Sequence, residues 1–230
     1  MKSIITSVSP YLCEKIANGD CKILAKKFAP KGTPFKVYIY CTKGRDLLRE
    51  VDCWNTKTKN HKTNYRIINL DFCTNKIVNG KVIGEFICDK VDNFYCASVP
   101  YLKENNLGYG QFIDNGVYKV SSWHEGIVFE RNDKYIETML NNDDLKEMCL
   151  SAQELFDYIG VGKHLYSWHI SDLKIYDKPK ELKEFYIPCK KPSCRMCDWE
   201  REYDVCACGY KKPITRPPQL WQYVEKIETR

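Results

Sequence analysis

Gly80-Lys-Val-Ile-Gly-Glu-Phe-Ile-Cys-Asp-Lys90 follows directly on Asn79 and holds the apolar core Val82-Ile83-Gly84-Glu85-Phe86-Ile87. A short apolar run entered through an Asn-Gly turn predicts a strand over Lys81–Val91. Toward the N-terminus, Phe35–Cys41 is almost continuously apolar or aromatic, as a buried strand is. The turn Pro30-Lys31-Gly32-Thr33-Pro34 separates it from a further strand over Cys21–Phe28. Ser3–Ser9 alternates apolar and polar residues as a strand does. Pro10 then opens a short helix, Tyr11–Ala17, stopped by Asn18-Gly19-Asp20. Toward the C-terminus, Ser151 and Glu154 form a capping box for a helix over Ala152–Ile159, which Gly160-Val161-Gly162 ends. His164–Tyr176 reads as a long strand or strand pair, and Arg216-Pro217-Pro218 leads into a last strand, Trp221–Lys226.

This order predicts an α+β chain in which a small, curved, mostly antiparallel sheet closes into a β-barrel flanked by helices. The first and last strands would lie near one another. Two stretches, about 46–79 and 92–142, are polar or weakly periodic and are expected to be loop-rich insertions in a single domain spanning 1–230. That length suffices to bury a full core. A net charge of +6 permits nucleic-acid binding without arguing for it strongly. No apolar run is long enough to cross a bilayer, and Met1–Pro10 lacks the hydrophobic stretch of a signal peptide, so a cytosolic location with reduced thiols is expected.

Of the 13 cysteines, five fall in Cys189-x4-Cys194-x2-Cys197-x8-Cys206-x-Cys208. Thiolates this close in sequence can reach one tetrahedral ion without a large fold to hold them. A structural zinc on Cys194, Cys197, Cys206 and Cys208 is the expectation, with Cys189 as a spare or substitute ligand; disulfides and unpaired thiols are the alternatives. Four sulfur ligands leave no open position for a catalytic water. The segment 189–212 would then be a loop pinned by metal, since it has little apolar surface to bury. Surrounding Lys and Arg residues either contact nucleic acid or neutralise the net negative zinc centre. The scattered cysteines, Cys21 among them, read as small packed hydrophobes.

Gly80–Lys90, Trp168-His-Ile-Ser-Asp-Leu-Lys-Ile-Tyr-Asp-Lys-Pro179, Arg216-Pro-Pro-Gln-Leu-Trp-Gln-Tyr-Val-Glu225 and Phe35–Lys43 together resemble ASCH-domain proteins, the PUA-like β-barrels common in bacteria and their phages. The resemblance implies a cleft that binds RNA or a nucleotide-like ligand. Some members resemble amidohydrolases acting on a modified nucleoside, and others look like ribonucleases. Their chemistry sits in a G-x-K-x-x-E/T-x-R motif after the first helix. Here the matching stretch is Gly19-Asp-Cys-Lys-Ile-Leu-Ala-Lys26, with Cys21, Leu24 and Lys26 in place of the lysine, the acidic or hydroxyl residue and the arginine. Leucine cannot relay a proton, and lysine lacks the planar fork of arginine. Ligand binding with no assured catalysis is therefore the expectation.

Candidate ligand contacts are Lys22, Lys26, Lys27, Glu85, Trp168 and His169. The lysines would meet phosphates or else form a solvated strand edge. Glu85 faces either the cleft or solvent. Trp168 and His169 alternate in the strand, so at most one of them lines a pocket. A diverged hydrolase using Lys22, Lys26 and Glu85, and a phage-type module that binds a host protein through the insertions, are the other readings.

Overall fold

A computed structural model describes residues 1–55, 60–70, 74–98, 127–131, 142–160, 163–188 and 212–226. The described residues are mostly β, with a few short helices. None of those helices is long and apolar enough to cross a membrane. The chain forms two compact units, each built from separated segments: Met1–Asn18, Pro34–Ile87 and Asp172–Arg230 in the first, Gly19–Thr33 and Cys88–Ser171 in the second.

The first unit is organised around β1 (Lys2–Val8) and β3 (Phe35–Cys41), which pair in parallel from Lys2↔Phe35 to Val8↔Cys41. Two parallel strands need a crossover, and helix α1 (Pro10–Asn18) begins it. The other edge of β1 takes β13 (Trp221–Tyr223) antiparallel, with Ile4 opposite Tyr223. The expected closeness of the first and last strands is thus a direct pairing. Polar side chains hold the approach to it: Thr6 Oγ1 donates to the Leu220 carbonyl at 2.7 Å and Ser7 Oγ to that of Pro218 at 2.5 Å. With β6 (Lys81–Cys88) and β10 (Ser171–Glu181) the sheet runs β10-β6-β3-β1-β13. A small sheet of β12 (Lys212–Pro213), β11 (Phe185–Ile187) and β14 (Glu225–Lys226) adds to the same unit. Ile5, Tyr38, Tyr40, Val82, Tyr176, Phe185, Ile214 and Val224 pack as one apolar cluster across these elements.

The stretch expected as a loop-rich insertion at 46–79 is instead a hairpin, β4 (Leu48–Asn55) against β5 (Asn60–Ile67). Its base is closed by the buried Arg49, whose Nε donates to the Ile68 carbonyl at 3.0 Å and Nη1 to that of Asn75 at 2.7 Å. Tyr65 is fully buried, and its hydroxyl donates to the Tyr176 carbonyl at 2.7 Å. One aromatic anchor and one carbonyl-capped cation replace the long apolar run that sequence reading looks for.

The second unit holds the sheet β2-β9-β7-β8, formed by Ile23–Lys26, Lys163–His169, Val91–Ser98 and Ile127–Arg131. The expected insertion boundary at 92 therefore falls inside a strand. Helices α2 (Asn142–Met148) and α3 (Ala152–Ile159) supply Met148, Leu155 and Ile159 to a core with Ile23, Ala25, Phe94 and Leu165. The capping box of α3 forms as read: the Ser151 N–H and hydroxyl donate to Glu154 Oε2 at 2.8 and 2.7 Å, and the Glu154 N–H donates back to Ser151 Oγ at 3.2 Å.

A barrel closes only when its edge strands pair. Among the described residues the strands form four separate sheets and no closed barrel, with β10 and β13 as edges of the largest. Gly84 on β6 leaves no room for a side chain, since an added Cβ would lie 2.6 Å from the Lys174 carbonyl oxygen on β10. Gly84→Ala must push the two strands apart and is expected to destabilise the protein by about 1–3 kcal/mol, read as a lower midpoint in urea unfolding.

Candidate functional site

Strand β9 is central in the second unit, and its register with both neighbours assigns its side chains to two faces. Trp168 lies opposite Leu24 and Val91, Ser167 opposite Ala25 and Asp92, and Tyr166 opposite Lys26 and Asn93. Leu165 packs in the core with Ile23, Ala25 and Phe94, so strand alternation places Ser167, His169 and Asp92 on that helix-covered face. Lys26, Asn93, His164, Tyr166 and Trp168 share the opposite face. Trp168 and His169 thus part company, as their alternation requires.

On that opposite face, Lys26, Tyr166 and Asn93 make one cross-strand row. Lys26 is 6% exposed, whereas Tyr166, Asn93 and His164 are half-buried. His164 Nδ1 lies 3.1 Å from Asn93 Oδ1, and its ring centroid is 6.3 Å from that of Tyr166. The row sets a cation, an aromatic ring and an amide side by side, with the His164 imidazole next to the amide. Its neighbouring row is dry, because Trp168 and Leu24 are buried. A fully buried indole packs in the core and offers no open face to a stacked base.

On the helix-covered face, His169 Nε2 lies 2.8 Å from Asp92 Oδ2, and Lys90 Nζ is 2.9 Å from the same oxygen. The His169 backbone N–H also donates to the Lys90 carbonyl at 3.1 Å, which fixes the two chain segments. Burial of Asp92 favours its neutral acid, but the hydrogen bonds from His169 and Lys90 outweigh this and hold its carboxyl down at about 2. Ser167 on the same face is buried, so its hydroxyl is closed to solvent.

The remaining candidates are dispersed. Lys22 is exposed, with Nζ 3.3 Å from Glu147 Oε1 on α2. Lys27 sets its Nζ 5.0 Å from the Tyr158 ring centroid, over α3. Glu85 belongs to the first unit, where one carboxylate oxygen takes Lys36 Nζ at 3.2 Å and the other accepts from the Tyr176 hydroxyl. Burial and the adjacent Glu85 together raise the Tyr176 phenol well above its ordinary range. Glu85 is thus held in a cross-strand polar contact within its sheet. Cys189, Cys194, Cys197, Cys206 and Cys208 lie outside the described residues, among which no cluster of three or more His, Cys, Asp or Glu side chains could hold a metal ion.

Sequence reading missed Asn93, His164 and Tyr166. Tyr166 stands two residues before Trp168 and so shares its face, a signal present in the sequence. The pairing of Tyr166 with Lys26, 140 residues away, is not.

The second unit therefore presents a sheet face bearing a polar and aromatic row beside a buried apolar one. No family profile and no curated protein matches the chain. Among solved structures it is similar to the ASCH protein of Zymomonas mobilis, at 12% identity over 98% of this chain and 89% of that one, with a TM-score of 0.43. Two point mutants of that protein give 12% identity with TM-scores of 0.41 and 0.40, over 98% of this chain and 92% and 89% of theirs.

Asp92 has a folded-state acidity near 2, below the ordinary value of 3.8, so its stabilisation is present above about pH 4 and lost as pH falls toward 2. Asp92→Asn is expected to cost about 2 kcal/mol at neutral pH. The gap between the two proteins should close between about pH 4 and 2, as followed by chemical denaturation across pH.

Proposed function

We propose that the chain is an ASCH-type, PUA-like protein that binds RNA or a nucleotide-derived ligand over the β2-β9-β7 face of its second unit. The observation that carries this reading is the Lys26-Tyr166-Asn93 row with His164 beside it. Single-stranded RNA is recognised by stacking bases on aromatic rings and by hydrogen-bonding their edges, while cations meet the phosphates. Tyr166 supplies the stacking ring. Asn93 and His164 supply donors and acceptors for a base edge. Lys26, opposite Tyr166 in the row, adds a cation to it. Sequence blocks at Phe35–Lys43, Gly80–Lys90, Trp168–Pro179 and Arg216–Glu225 support the same class.

Structural zinc on Cys194, Cys197, Cys206 and Cys208 belongs to this reading, on the strength of a soft, four-thiolate donor set in closely spaced pairs. When bound, such an ion supplies a fixed tetrahedral staple and no reactive water. The diverged-hydrolase alternative draws less support, since Lys22 and Glu85 are each committed to a charged partner.

Fluorescence anisotropy with labelled single-stranded RNA tests the binding. The affinity is expected to fall linearly on logarithmic axes as salt rises, and Tyr166→Ala should weaken it by about 1–3 kcal/mol. Binding indifferent to both salt and Tyr166 would refute the reading. Elemental analysis of the purified chain should find about one zinc, lost in the Cys194→Ser, Cys206→Ser double variant.

A further inference from the structure

Helix α2 ends on a residue that is an unusual choice for its position. The Leu150 N–H donates to the Leu145 carbonyl at 3.2 Å and the Cys149 N–H to that of Lys146 at 3.0 Å. This is the paired bonding of a Schellman terminus, in which the residue at Cys149 takes a left-handed backbone and is most often glycine. Cys149 has φ of 52° there. A side chain in this conformation costs roughly 1 kcal/mol relative to glycine. A strained residue where glycine would be easier points to a role for its side chain.

A second thiol lies against the same helix end. Cys21, just before β2, is 1% exposed, and its Sγ lies 3.3 Å from the Ile23 carbonyl oxygen and 3.8 Å from that of Met148, the residue that precedes Cys149. The surrounding backbone holds both residues: the Lys22 N–H donates to the Glu147 carbonyl at 2.8 Å, and Lys22 Nζ pairs with the Glu147 side chain. Cys149 is only partly buried, so an oxidant reaches it before Cys21. Burial, with the neighbouring Cys149 adding to it, pushes the Cys21 thiol up to about 12. It therefore stays protonated and does not itself meet the oxidant.

We propose that Cys149 and Cys21 are a peroxide-responsive thiol pair that closes into a reversible disulfide joining the end of α2 to the start of β2. The Cys149 thiolate attacks one oxygen of a peroxide, the O–O bond breaks, hydroxide leaves, and Cys149 becomes a sulfenic acid. The Cys21 sulfur then attacks the Cys149 sulfur. The sulfenic hydroxyl departs with the Cys21 proton as water, and the disulfide forms. Two thiols are oxidised by two electrons and one peroxide is reduced to two waters. A thiol reductant reverses the bond.

Hydrogen peroxide at one equivalent per chain, followed by alkylation and non-reducing peptide mapping, tests this. A peptide pair joining Cys21 to Cys149, lost on reduction with dithiothreitol, is expected. Cys21→Ser should leave Cys149 trapped as a dimedone-reactive sulfenic acid. Cys149→Gly suits the helix terminus, so it should fold with an unchanged or higher thermal midpoint while the crosslink disappears. Full alkylation of both cysteines after peroxide, or Cys149 joined to some other cysteine, would overturn the proposal. So would a Cys21→Ser protein without the dimedone adduct.

Discussion

Strand β9 has to satisfy two neighbours at once, and the second unit depends on that double register. Its hydrogen bonds to β2 and β7 set Ser167 between Ala25 and Asp92 and Tyr166 between Lys26 and Asn93. A slip of one residue against either neighbour would turn Leu165 and Ser167 out of the helix-covered core and drive Tyr166 and His164 into it. Burying those polar rings and exposing Leu165 both cost free energy. The apolar contacts of Leu165 with Ile23 and Phe94, and the Asp92–His169 and Asn93–His164 contacts on opposite faces, all select the same register. Core packing and candidate site are two faces of one constraint.

The first unit meets a related demand through topology. Parallel pairing of β1 with β3 requires a crossover, and β13 then covers the other edge of β1. That arrangement protects an apolar strand, Ile4 and Ile5, on both sides. Chain segments more than 200 residues apart thereby share one sheet, and the hydroxyls of Thr6 and Ser7 bind the carbonyls of Leu220 and Pro218 where the returning chain arrives.

Where local chemistry decides an element, the sequence was legible. The strand at Phe35–Cys41 and the helix at Ala152–Ile159 fall at the bounds read from continuous apolarity and from a capping box. The hairpin at 48–67 was hidden because tertiary contacts carry it: one buried tyrosine bonded to a distant carbonyl, and one arginine folded onto carbonyls of its own segment. The candidate site was legible in part. Lys26 and the alternation of Trp168 with His169 were visible in the chain, but that Trp168 packs in the core while Tyr166 stands half-buried depends on neighbours in space. Glu85 illustrates the same limit, since its partners Lys36 and Tyr176 come from strands on either side.

The polar row of the β2-β9-β7 sheet is the surface proposed to meet a ligand. Amide chemical-shift mapping during titration with a short single-stranded RNA addresses it directly. Shifts concentrated on Lys26, Asn93, His164 and Tyr166 are the predicted result. A saturable titration whose shifts leave these four residues unmoved would contradict it.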